Sequence, residues 1–143
     1  MALVNFWQFW AGLAALFAAL TAIFAKVGVS DVDPDFATFL RTIVVVLALG
    51  FLVSVTGKIQ SVLTISPRTG LFLVLSGLAT GASWLCYFRA LKLGNAAQVA
   101  PVDKLSVVLV AVIAAVFLKE HLSAAAWAGV AMIAGGSIIV AMN

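Results

Sequence analysis

Two charged residues stand side by side in a stretch that otherwise suits lipid. They are Asp103 and Lys104, inside the apolar run from Gln98 to Leu118. In hydrocarbon each costs about 2.5–3.5 kcal/mol on insertion scales, so such a pair points to a pathway or a binding site. The aspartate can hold a proton or a counter-charge, and the lysine can tune it or receive an anionic group. Arg41, about two turns into the second apolar run, and Arg89, near the end of the third, fall nearer the same membrane face. An ion pair of Asp103 with Arg41 or Arg89 is geometrically possible. The four charges then read either as a structural salt-bridge cluster or as a site for protons and anionic groups. Arg41 has its own alternative, since its aliphatic stem lets it snorkel to the interface.

The third run carries the clearest periodicity. Ser76, Thr80, Ser83 and Tyr87 recur at helical spacing and make one polar stripe, with Trp84 and Phe88 beside it. Hydroxyls in a lipid-embedded helix either bond across to a neighbour or line a wet cavity. Four in register next to an aromatic pair favour the cavity, with Trp84 and Tyr87 touching a substrate and Ser76, Thr80 and Ser83 wetting its path. Gly77 and Gly81 form a GxxxG pair on the same helix, where close helix packing is the plainer meaning.

These residues are positioned by five apolar segments, each near the roughly 20 residues needed to cross a bilayer. They are Phe6–Ala25, Phe36–Thr56, Gly70–Leu91, Gln98–Leu118 and Ala125–Met142. Asp33-Pro34 and Ser66-Pro67 put a capping side chain before a proline at the first helical position. Asn95 and Gln98 have capping-box spacing for the fourth helix, and Ser123 can cap the fifth. The fourth helix has two possible starts. From Pro101, Asp103 is a third-position carboxylate at the positive helix end. From Asn95, Pro101 is internal, frees the carbonyl of Ala97 and leaves Asp103 about 12 Å into the helix. A dozen large apolar residues there contribute roughly −4 to −7 kcal/mol, against about 5–7 for Asp and Lys at mid-helix. The two sums nearly cancel, so this helix needs partners around the pair. The first helix lines up Gly12, Ala15, Ala19 and Ala22, and the last is small-residue throughout. Gly129 and Gly136 share one of its faces with Met132, Gly135 lies beside them, and together they suit a tight seam within or between copies.

Composition sets the class. Of 143 residues 65% are hydrophobic and 9% charged, with mean hydropathy +1.25. A soluble domain averages about 25% charged residues, so this chain must use lipid as solvent. The fold class is an all-α membrane protein, with residues 1–143 forming a single domain. Eight basic residues, scattered between apolar runs, serve as flanking anchors and exclude a nucleic-acid patch. One histidine and one cysteine (Cys86) leave no zinc site or disulfide framework. No dinucleotide, phosphate-loop or nucleophile-elbow motif is present, so neither a cofactor nor an enzyme is expected. The first run lacks the basic start of a signal peptide and reads as a retained helix.

Five helices put the termini on opposite sides. Lys58, Arg68 and Lys119 flank the N-terminal side, and Lys26, Arg89 and Lys92 flank the other. Three against three, tilted only modestly when Arg41 and Lys104 are added, gives the positive-inside rule little to act on, so the chain can insert either way up. Two opposed copies would make a ten-helix body with an in-plane pseudo-two-fold axis, the arrangement that supports alternating access.

An ordered set of motifs fits that picture. It comprises Tyr87-Phe88-Arg89-Ala90-Leu91-Lys92, Val99-Ala100-Pro101, Phe117-Leu118-Lys119-Glu120-His121-Leu122-Ser123, Trp127-Ala128-Gly129 and Ile133-Ala134-Gly135-Gly136. Together they resemble the EamA-type domain of the drug/metabolite transporter superfamily. The glycine pattern of the last helix is also similar to that of the small multidrug resistance proteins, four-helix relatives that act as antiparallel dimers. The resemblance implies an inner- or plasma-membrane carrier of small metabolites or toxic compounds, commonly built from two such domains, often an exporter and often proton-coupled. Asp103-Lys104 departs from the mostly uncharged stretch of the family, and Lys119 replaces a glycine common before the loop glutamate.

The sequence therefore leads to half of an inverted-repeat transporter in the bacterial-type inner membrane, working as an antiparallel homodimer on a small-molecule substrate. Two alternatives stand beside it: a subunit paired with an inverted paralogue, and an accessory membrane protein that moves nothing.

Overall fold

The computed structural model describes residues 6–61 and 64–142, and among these every regular element is a helix. In chain order they are α1 (Trp7–Gly28), α2 (Pro34–Val55), α3 (Pro67–Leu93), α4 (Ala96–Asp103), α5 (Leu105–Phe117) and α6 (Ala124–Ala141). α4 and α5 follow one another across Lys104 and together make one 22-residue stretch, Ala96–Phe117. The result is five spans long and apolar enough to cross a membrane, with mean hydropathies from 1.6 to 2.3. α3, at 27 residues, runs about 40 Å and exceeds a 30 Å hydrocarbon core, so it must tilt or project.

Local chemistry explains the starts and stops. Asp33 Oδ1 accepts from the backbone N–H groups of Asp35 (2.9 Å) and Phe36 (3.1 Å), and Pro34 fills a first-turn position whose N–H would have no partner. Ser66 Oγ accepts from the Thr69 N–H at 3.2 Å, so α3 begins at Pro67, three residues before the expected Gly70. Ser123 Oγ accepts from the Ala126 N–H at 3.2 Å and starts α6. α4 begins at Ala96, but Asn95 makes no side-chain cap; its carbonyl takes the N–H groups of Gln98 and Val99 instead.

α2 ends on Gly57 at φ +64, with Lys58 N–H bonded to the Val53 carbonyl and Gly57 N–H to that of Ser54, the paired bonds of a Schellman stop. α5 ends in the same backbone region on a side chain that tolerates it less well, Lys119 at φ +56.

The start of the fourth span is the earlier of the two alternatives. Pro101 lies inside α4, and the ladder tightens just beyond it, where Val107 N–H bonds to the Lys104 carbonyl three residues back. The missing proline N–H and ring crowding account for a break within one turn.

The helices fall into two compact units. The first holds residues 6–24 and 93–142, where α6 packs along both α4 and α5. Its buried residues are small: Ala22, Ala114 and Ser137. The second holds residues 25–92 and buries Ala25, Val29, Thr38, Phe88 and Leu91. Outward faces are apolar almost throughout, as a protein solvated by lipid requires.

Candidate functional site

Arg41 projects from the third turn of α2 onto α3. Its guanidinium carbon stands 4.1 Å from the centroid of Trp84 and 5.5 Å from that of Phe88. Trp84 and Phe88 are four residues apart, so one face of α3 presents both rings. Phe88 is buried and Trp84 half-buried. The side chain therefore reaches a neighbouring helix instead of running along its own helix to the interface. A stacked cation gains about 0.5–2 kcal/mol, less than the roughly 2.5–3.5 kcal/mol that an arginine costs in hydrocarbon. The shortfall leaves a group that stands to gain from an acceptor.

The α3 hydroxyls lie open. Ser76, Thr80 and Ser83 are exposed in the single chain, and Tyr87 is half-buried. Thr80 Oγ1 donates back to the Ser76 carbonyl at 2.9 Å, whereas the Ser76 and Ser83 hydroxyls have no hydrogen-bond partner among the described residues. A Cβ built on Gly77, Gly81, Gly129, Gly135 or Gly136 meets no atom within 4 Å. On α6 the residue that is buried is Ser137.

The charges pair differently from either ion pair considered for Asp103 with an arginine. Asp103 Oδ2 accepts from Lys104 Nζ at 3.0 Å. Adjacent residues on a regular helix do not face each other, and this pair forms where the helix is interrupted, at Lys104. The two charges largely neutralise each other, which lowers the insertion cost of the fourth span.

Arg89 is held by Asp35. Its Nε donates to Oδ1 at 3.0 Å and its terminal nitrogen to Oδ2 at 2.6 Å, the two-pronged geometry of arginine with a carboxylate.

Beside that pair lies an arrangement the sequence reading missed. Lys92, near the end of α3, donates to the carbonyls of Val29 (2.8 Å), Ser30 and Val32 (3.4 Å), just past the end of α1. Lys26, near the end of α1, donates to the Leu91 carbonyl at 2.7 Å. Each lysine thus satisfies carbonyls at the C-terminal end of the other helix, where positive charge is favoured. The one sequence signal was a lysine in the last turn of two helices that finish on the same side.

Comparison with known proteins names the group: the sequence pattern of the EamA-like transporter family matches residues 5–142. The chain belongs to the EamA-like transporter family. It is also 58% identical over 136 residues to a protein of Sinorhizobium sp described as an uncharacterized transporter in the cobO 3' region. That match covers 95% of this chain and 96% of the relative, so the two are nearly equal in length. No solved structure matches. This EamA-like chain is an integral membrane protein and a transporter, with Arg41, Trp84 and the α3 hydroxyls in one of its two units and the Asp103–Lys104 pair in the other.

Proposed function

We propose that two copies of the chain, inserted in opposite senses, form a ten-helix carrier that exports small metabolites or drug-like molecules from a bacterial cell across its inner membrane. Alternating access would swing the two copies about a shared midplane cavity. Trp84 and Tyr87 contact the substrate, and Ser76, Thr80 and Ser83 wet its path. Asp103 exchanges a proton, with Lys104 as its resting partner. The glycines of α3 and α6 form seams between helices once the second copy is present.

The observation that carries this reading is the uncovered α3 row. Serine hydroxyls without partners do not rest against hydrocarbon, where an unsatisfied polar group costs several kcal/mol. A second copy that encloses them around water supplies the cover. The near-even division of the flanking basic residues between the two sides lets that copy arrive inverted.

The test is transport by the purified chain alone in liposomes containing a pH-sensitive dye. Amino acids, aromatic carboxylates and cationic dyes would be added in turn. Substrate-linked proton movement is expected for some member of the panel, slowed at least about tenfold by Asp103→Asn. Undiminished proton-linked flux in that variant removes Asp103 from the mechanism.

A further inference from the structure

We infer that Arg41 is the docking point for the oxyanion of a ligand with an apolar body, a carboxylate or phosphate group meeting the guanidinium edge-on while the body lies against the α3 aromatic face. The inference rests on the reading of α3 as the substrate-facing helix and adds the chemical class of what binds there.

The geometry leaves one direction open. A guanidinium is planar and carries its five N–H donors in that plane. The rings of Trp84 and Phe88 engage Arg41 at 4.1 and 5.5 Å to their centroids, and no hydrogen bond or ion pair of Arg41 is formed among the described residues. Its donors are therefore free for a planar, two-oxygen acceptor, which arginine binds bidentately.

Four of the five acidic side chains have other partners. Asp33 caps α2, Asp35 holds Arg89, Asp103 holds Lys104 and Asp31 accepts the Ser30 hydroxyl. An aromatic-backed arginine without a carboxylate, in a lipid-solvated chain, is a built receptor for an anion.

Two sources could supply that oxyanion, a free metabolite or a lipid headgroup, and the experiment separates them. The whole protein is placed in nanodiscs of zwitterionic phosphatidylcholine and titrated with benzoate, phenyl phosphate and the uncharged benzamide. At least one of the two anions is expected to bind about tenfold or more tighter than benzamide, and Arg41→Gln should abolish the difference. Arg41→Lys, which keeps the charge and loses the fork, should fall between, and its retained fold guards against a collapsed variant.

In a second arm, phosphatidylglycerol is added to the discs. If the headgroup is the natural source, it raises the melting temperature of the wild type and not of Arg41→Gln, and it displaces benzoate. Equal binding of anions and benzamide, with no Arg41-dependent response to phosphatidylglycerol, overturns the inference. So does a preference for anions that survives Arg41→Gln, and so does an Arg41 effect confined to the association of two copies. Binding is read apart from flux: Arg41-dependent anion binding without transport would sink the carrier reading and leave this site standing.

Discussion

At the residue scale, cations are placed where acceptors lack donors. Lys92 gathers three carbonyls that follow α1, and Lys26 returns the favour at Leu91. Hydrogen bonds from a charged donor are worth about 1.5–3 kcal/mol when enclosed; Lys92 is exposed, so the lower end applies and about 1–2 kcal/mol is expected. Lys92→Met should accordingly lower the melting temperature in detergent by a few degrees, with Lys92→Arg, which keeps a cationic donor, losing little. A melting curve unchanged by Lys92→Met would mean that lipid or water serves those carbonyls equally well. This exchange could not be read from the sequence, because its partners lie about sixty positions apart and the acceptors are backbone atoms of unremarkable residues. Arg41 and Trp84 could each be singled out from type and spacing. Their contact could not, since nothing local fixes how α2 rotates against α3.

Elements were far more legible, and the reason is local. Asp33-Pro34 and Ser123 act within one turn of where they stand, and the structure builds both caps. Ser66-Pro67 overrode the hydropathy boundary at Gly70 because a cap decides where the ladder begins and hydrophobicity only where lipid begins. Pro101 foretold a disturbed fourth helix, but the position of the break depended on how the following turn relaxed, and it fell at Lys104. Lys119 offers a test at this scale. A side chain at φ +56 costs about 1–2 kcal/mol, partly offset by the entropy glycine loses, so Lys119→Gly should stabilise the protein by about 0.5–1 kcal/mol. Gly57→Ala, at φ +64, should destabilise it by a similar amount. Thermal unfolding of both variants in one detergent checks the pair, and opposite signs are required.

At the scale of the whole molecule, what is shown is the class of function. The described residues hold five apolar spans, and the family and the near-equal-length relative establish transport as the class of function. Composition made the lipid-solvated, all-helical fold plain from the outset, whereas the proposed second copy rests only on indirect features: open serines, uncontacted glycines and nearly balanced flanking charge. The decisive measurement is sidedness. In a Cys86→Ser background, single cysteines are introduced as Lys58→Cys, His121→Cys and Asp31→Cys, then labelled with an impermeant maleimide in spheroplasts and in inside-out vesicles. Opposed insertion predicts that each of the three positions is labelled from both sides, about half of the molecules each way. Labelling of Lys58→Cys and His121→Cys from one side alone, with Asp31→Cys only from the other, would contradict it and point to an inverted paralogue as the missing half.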